Sequence, residues 1–178
     1  MTEPPTEIAL RTHTIGHLFN SFDPSPFREK DLDTGVEEFI TSWVRELPPA
    51  APFSIVVHLP AEEAAKPDAG RIGEAFAHYF QYRAEASEHE WRELFRIGRR
   101  SLAIGVVVLI ICLTASQLAA VLIPNRVVAS VVEESLIIVG WVANWRPIEI
   151  YLYDWLPIRR RMNLFRRLAV APVEVRVG

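Results

Sequence analysis

Residues Leu102 to Ile123 read LAIGVVVLIICLTASQLAAVLI, a run of about 22 residues without a charge. At ~1.5 Å per residue it makes a helix of ~33 Å, long enough to cross the hydrocarbon core of a bilayer. A helix buried in a soluble core is usually shorter and keeps a polar stripe. Here the polar side chains are Thr114, Ser116 and Gln117, all near one end. Pro124-Asn125 then stops the run, because proline cannot continue the hydrogen-bond ladder and asparagine suits a turn. A second apolar run follows. Ser130 and Glu133 have the spacing of a capping box, which predicts a helix start near Val131, and Leu136 to Trp145 is almost wholly apolar.

Charge gives the hairpin an orientation. Arg92, Arg96, Arg99 and Arg100 precede the first run; Arg159, Arg160, Arg161, Arg166 and Arg167 follow the second; the turn between has Arg126. Positive charge concentrates on the cytoplasmic side of membrane proteins, so both ends are expected in the cytoplasm. Tyr151, Tyr153 and Trp155 fall where the inner interface should lie, the usual depth of amphipathic rings. The expected localisation is a bacterial inner (cell) membrane, multi-pass. Residues 1–90 carry 16 Asp/Glu against 7 Lys/Arg and residues 91–178 carry 6 against 12, an acidic part and a basic part within a net charge of −3. The basic half matches anionic lipid headgroups, with Arg99, Arg100, Arg159, Arg160 and Arg161 as headgroup-facing residues. The acidic half argues against nucleic acid.

The second run carries Arg146 and Glu149, three apart and so on one helical face. Charges at this depth are tolerated when paired, snorkelled or turned toward protein or water. The small residues Ala115, Ser116, Ala119 and Ala120, with Gly140, Ala143 and Asn144, suit close helix packing.

Outside the hairpin, Ile8 to Ile15 reads as a strand. Asn20 to Asp33 is loop-like. Thr34 and Glu37 form a possible capping box for a helix with Val36, Phe39, Ile40, Trp43 and Leu47 at helical spacing, stopped by Pro48-Pro49. Phe53, Ile55, Val57 and Leu59 alternate as a second strand, and Val173, Val175 and Val177 as a third. From Asp68 another helix, with Ile72, Phe76, Tyr79, Phe80, Arg83, Trp91, Leu94 and Phe95 on one face, runs toward the first span, Gly98 being the natural place for a bend.

The fold class expected is therefore α+β, a two-helix transmembrane hairpin with a small cytoplasmic α/β module formed by the N-terminal region and a C-terminal strand. Its parts are a module over 1–67, an amphipathic juxtamembrane helix over 68–100, spans over 101–123 and 131–156 around an outer turn at 124–130, and a basic tail with a terminal strand over 157–178.

The chemistry-bearing residues are sparse. Met1 to Pro5 is acidic and lacks the apolar run of a signal peptide, and the single cysteine, Cys112, lies inside the first span. His13 and His17, four apart with Asp23 near, are weak metal candidates, and a strand at His13 would spoil their geometry. No phosphate loop, nucleophile elbow or Cys–His pairing occurs, so neither a catalytic residue nor a cofactor is assigned. The phrase His17-Leu18-Phe19-Asn20-Ser21-Phe22-Asp23-Pro24-Ser25-Pro26-Phe27 and the stretch from Glu149 to Arg161 resemble an uncharacterised family of bacterial two-span inner-membrane proteins. That resemblance implies an architecture and no activity. The expectation is a non-enzymatic, membrane-tethered module for protein interaction or scaffolding, with a protein partner or a homo-oligomer. The alternative is an oligomeric transport or channel component using Arg146 and Glu149.

Overall fold

A computed structural model of the chain describes residues 6–48 and 51–178. Met1 to Pro5 and the helix-stopping Pro49 lie outside the described residues. The chain divides into two compact units. The first holds the residues up to Ser87 together with Arg160–Gly178, and the second is Glu88–Arg159.

In the first unit, strands β1 (Thr6–Arg11), β2 (Phe53–Leu59) and β3 (Val173–Val177) form a parallel sheet in the order β1-β2-β3. Parallel neighbours need a crossover. The first contains helix α1 (Thr34–Glu46). The second contains a short helix α2 (Ala61–Ala64) and every later α-helix among the described residues. β3 pairs with β2 from Ile55↔Val173 to Leu59↔Val177, so the last strand of the sequence completes a sheet begun by the first. One face of the sheet, Ile8, Leu10, Ile55, Val57 and Leu59, packs under Ile40 and Val44 of α1, Ile72, Phe76 and Phe80, and Leu164, Phe165 and Leu168. On the other face Glu7, Glu174 and Arg176 form a charge network, and Val56, flanked in register by Ala9 and Glu174, is fully buried.

Several expectations shift here. β1 ends at Arg11, so His13 lies beyond the strand, in a bend. Asp33, rather than Thr34, caps α1, its carboxylate accepting from Gly35 N–H at 2.9 Å. This releases Glu37 to reach other partners. Phe39 and Trp43, placed on the core face by their spacing, remain 42% and 46% exposed, while Ile40, Thr41 and Val44 point inward. Val36, Ile40 and Leu47 of the predicted stripe do pack against the core, so the real face is turned only partly, toward Thr41 and Val44, and the inward Thr41 hydroxyl is satisfied by the Glu38 carbonyl.

Helix α3 (Ile72–Leu122) follows a 3-10 turn at Ala69–Arg71 and runs unbroken through Gly98. In the second unit it is met by α4 (Arg126–Val142), α5 (Trp145–Glu149), a π-helical turn at Ile150–Asp154, and the start of α6 (Trp155–Ala169). α4 begins at Arg126, five residues before the position that Ser130 and Glu133 suggest. The reason is Asn125, whose side chain accepts from the N–H groups of Val127 and Val128. Asparagine is among the best N-cap residues, and it leaves Ser130 inside the helix. The turn expected over 124–130 therefore shrinks, since residues 126–130 are helical.

Along α3 the points of close approach to its return limb recur every seven residues, at Gly98, Gly105 and Cys112. A seven-residue repeat is the signature of knobs-into-holes packing. A Cβ at Gly98 would come 2.9 Å from Ile150 Cγ2, and one at Gly105 2.7 Å from Asn144 Oδ1. Gly98 is thus a point of close approach, where sequence suggested a bend. From the return limb, Gly140 meets Leu109 and Cys112, its Cβ position only 2.8 Å from Leu109 Cδ1. Asn144 then donates to the carbonyls of Gly105 and Gly140, both at 3.0 Å, which locks the register of the two limbs. Both α3 and the chain segment from Arg126 to Ala169 are long and apolar enough to cross a membrane.

Candidate functional site

The phrase from His17 to Phe27 builds a closed loop. Asn20 N–H donates to the Asp31 carbonyl at 2.8 Å, and Asp33 N–H to the Leu18 carbonyl at 3.0 Å, drawing the ends together. Asp23 organises the interior. Its Oδ1 accepts from Ser25 N–H at 2.9 Å and its Oδ2 from Asp31 N–H at 2.7 Å. Asn20 Oδ1 accepts from Phe22 N–H at 3.0 Å. Aspartate and asparagine favour this bonding to backbone a few residues on, and the prolines at 24 and 26 narrow the remaining freedom. Phe19 and Phe27 meet edge-on at 4.9 Å, and Phe19 reaches Phe76 of α3 at 6.3 Å, so the base of the loop is part of the core. At its tip Phe22 is 92% exposed. A compact loop with close ends and a projecting apolar ring is a common vehicle for recognition.

Between the loop and α3 lies a cleft of about 430 Å³, lined by Asp23, Asp31 and Glu29 on one side and His78, Tyr79 and Tyr82 on the other. Hydrogen bonds from Ser25 and the Asp31 backbone hold the Asp23 carboxyl below its ordinary range. Tyr79 is pushed well above the usual tyrosine value, first by burial and then by its bond to Glu37. That bond, Tyr79 O–H to Glu37 Oε2 at 2.6 Å, is joined by Arg83 Nη2 to Glu37 Oε1 at 2.8 Å, and the Arg83 guanidinium lies 5.2 Å from the Phe165 ring centre. Glu37 thereby clamps α1 to α3 beside the cleft. The walls offer carboxylates and aromatic edges to a partner. Asp23 and Tyr79 are committed to structural bonds, so neither stands as a base.

The predicted site residues disperse. His13 and His17 are exposed, His17 on a 3-10 turn at Ile15–Leu18. Among the described residues no three His, Cys, Asp or Glu side chains converge as a metal would require. Arg146 and Glu149 do meet, at 3.2 Å, and Asp154 joins them with Oδ2 at 2.9 Å from Arg146 Nη1. Asp154 escaped sequence reasoning because residues eight apart on an α-helix are roughly 80° out of phase. The π turn inserts one residue, which leaves Asp154 phased as though seven on, about 20° from Arg146. Trp145 adds its indole N–H to Glu149 Oε1 at 2.8 Å. Of the basic residues, Arg159 sits 5.6 Å over the Trp155 ring, and Arg99, Arg100, Arg160 and Arg161 are exposed.

No protein-family model, curated protein or solved structure matches this chain.

Proposed function

We propose that the chain is a two-span bacterial inner-membrane protein that holds its α/β module at the cytoplasmic face and offers the Phe22 loop to a protein partner. Insertion is supported by exposure: in the most apolar stretch of each long helix only 17% is buried within the protein. Val106, Val107, Ile110, Ile111, Leu113 and Leu118 all face outward. Each such side chain gains about 0.3–0.6 kcal/mol in lipid at mid-membrane, whereas a charge there costs about 2.5–3.5 kcal/mol. The segment from Leu102 to Ile123 has many of the first kind and none of the second. Arg146, Glu149 and Asp154 stand near the inner aromatic belt, where their mutual pairing and the nearby interface lower that cost. Their completeness as a cluster favours a structural role over a transport path.

The observation that carries the interaction reading is Phe22, an almost fully exposed ring on a loop whose backbone is fixed by Asp23. A rigid aromatic anchor loses little conformational entropy on binding, and such residues dominate interfaces. The acidic cleft beside it fits a partner with basic side chains next to an apolar pocket. The experiment is a photo-crosslinking amino acid at position 22 in intact membranes. A discrete adduct with a second protein is expected, suppressed by excess parent protein and not by excess Phe22→Ala protein, which should also recover little of that partner in pull-down. Recovery of the protein by itself in both assays would remove the reading.

A further inference from the structure

We propose that β3 pairs with β3 of a second copy of this chain, antiparallel about a two-fold axis through Val175, joining the two sheets into one. β3 is an edge strand. The Pro172 carbonyl accepts from Ile55 N–H at 2.9 Å and Gly178 N–H donates to the Leu59 carbonyl at 3.0 Å, so both face β2. Backbone groups alternate in direction along a strand. Glu174 and Arg176 therefore also turn theirs to β2, and Val173, Val175 and Val177 present N–H and C=O to the outer edge. An edge of this kind is a template for another strand.

The sequence of the edge, Val173-Glu174-Val175-Arg176-Val177, is complementary to itself in reverse. About a centre at Val175, Val173 opposes Val177 of the second copy, and Glu174 opposes its Arg176. The outward-facing valines then fall in the hydrogen-bonded pairs. Glu174 and Arg176 fall in the non-hydrogen-bonded pairs, where Cα atoms approach to about 4.5 Å and side chains are nearest. A centre at Glu174 or Arg176 would set like charges opposite each other and put the wrong backbone groups at the edge, and a centre at Val173 or Val177 would leave much of the strand unpaired, so Val175 is the centre that pairs all five residues.

Space for the second strand is present. A furrow of about 410 Å³ lies between the three valines and the small residues Ala64, Ala69, Gly70 and Gly73. A Cβ at Gly70 would meet nothing within 4 Å, whereas one at Gly73 would touch Val173, 3.6 Å from its Cβ and 3.8 Å from its carbonyl oxygen, so the open part of the furrow lies along Val175 and Val177. In a continuous sheet the valines of the second copy project from the same face as these and enter the furrow, covering Val177, now 68% exposed. Glu174 shares the Arg176 guanidinium with Glu7, at 2.9 Å and 2.8 Å, and keeps acceptor capacity for the second copy's Arg176.

This edge is separate from the Phe22 loop, so assembly and partner capture are read independently. The test is native mass analysis of the full chain in mild detergent across protein concentration. The parent is expected as a dimer. Val175→Pro deletes an N–H that points away from β2, so it should leave the circular dichroism unchanged and yield a monomer. Glu174→Arg places arginine against Arg176 of the second copy while retaining the Arg176–Glu7 pair, and should weaken the dimer at least tenfold. Should Val175→Pro lose the fold, Glu174→Arg decides. A monomeric parent, an undiminished dimer in these variants, or a different polypeptide bound along β3 in place of a second copy would each overturn the proposal.

Discussion

Asp23 commits both carboxylate oxygens to backbone N–H groups, and the order of the Phe22 loop rests on that side chain being ionised. Its carboxyl is held below the ordinary range, first by Ser25 and then by the Asp31 backbone. A carboxyl with a lowered folded pKa contributes its stabilisation above the unfolded value and loses it as pH falls through the folded one. The protection factors of the Ser25 and Asp31 amides, taken against unfolded-chain exchange at the same pH, should therefore be high at neutral pH and fall in acid below pH ~4. Asp23→Ala should show low protection at every pH; high protection in that variant would refute the assignment. Tyr79 has the opposite sign. Its phenol is raised by burial and by Glu37, so its contribution is complete below the unfolded value near ~10 and declines as pH rises beyond it. Tyr79→Phe removes a bond to a carboxylate and should cost about 1.5–3 kcal/mol at neutral pH. In thermal unfolding by near-ultraviolet circular dichroism, the gap between parent and variant should narrow above pH ~10; a constant gap would show that Tyr79 acts by packing.

At the scale of elements, the hairpin depends on backbone proximity at glycine. With only 2.7 Å from a Gly105 Cβ to Asn144 Oδ1, Gly105→Val must part the limbs and break the Asn144 bonds to the Gly105 and Gly140 carbonyls. Its unfolding temperature in detergent should fall by several degrees, while Gly16→Ala, whose new Cβ meets only Thr14 Oγ1 at 4.0 Å, should stay near the parent. Equal melting of the two would contradict the close-packed seam. The seam was half legible in the sequence: Gly140 and Asn144 stand out in an apolar run, but the partner of Asn144 is 39 residues away and no spacing rule reveals it. The strands read well because period-two alternation is local, although β1 stops at Arg11. Their parallel pairing was not readable, since it depends on two crossovers, one from Arg11 to Phe53 and a far longer one from Leu59 to Val173. Helix ends were misread where two capping residues competed, Asp33 against Thr34 and Asn125 against Ser130. Helix α6 was missed outright: Pro157 discourages a helical reading, yet the helical path continues through it from the π turn at Ile150–Asp154. In the candidate site, the motif containing Phe22 and Asp23 was visible as a phrase, but the cleft opposite it needs His78, Tyr79 and Tyr82 from another element.

For the whole molecule, the decisive feature is that the hairpin is an insertion between β2 and β3. The sheet closes only when the chain returns to β2, which the second helical limb accomplishes by leading through α6 into β3. Leu164, Phe165 and Leu168 come back with β3 to bury Phe76 and Phe80, the Phe80 and Phe165 rings standing 6.2 Å apart. Phe165→Ala should destabilise the module by about 3–5 kcal/mol, measured as earlier proteolysis between Thr6 and Ser87 in detergent; unchanged protease resistance would mean that the returning segment is dispensable. The most direct test of the account is sidedness. In a Cys112→Ala background, single cysteines at Ser21, Asn125 and Asn163 are labelled with a membrane-impermeant maleimide in right-side-out and inverted vesicles. The account predicts that Asn125→Cys is labelled from outside alone and that Ser21→Cys and Asn163→Cys are labelled from the cytoplasmic side alone. Labelling of all three from one side, or recovery of the chain in the soluble fraction, would contradict it.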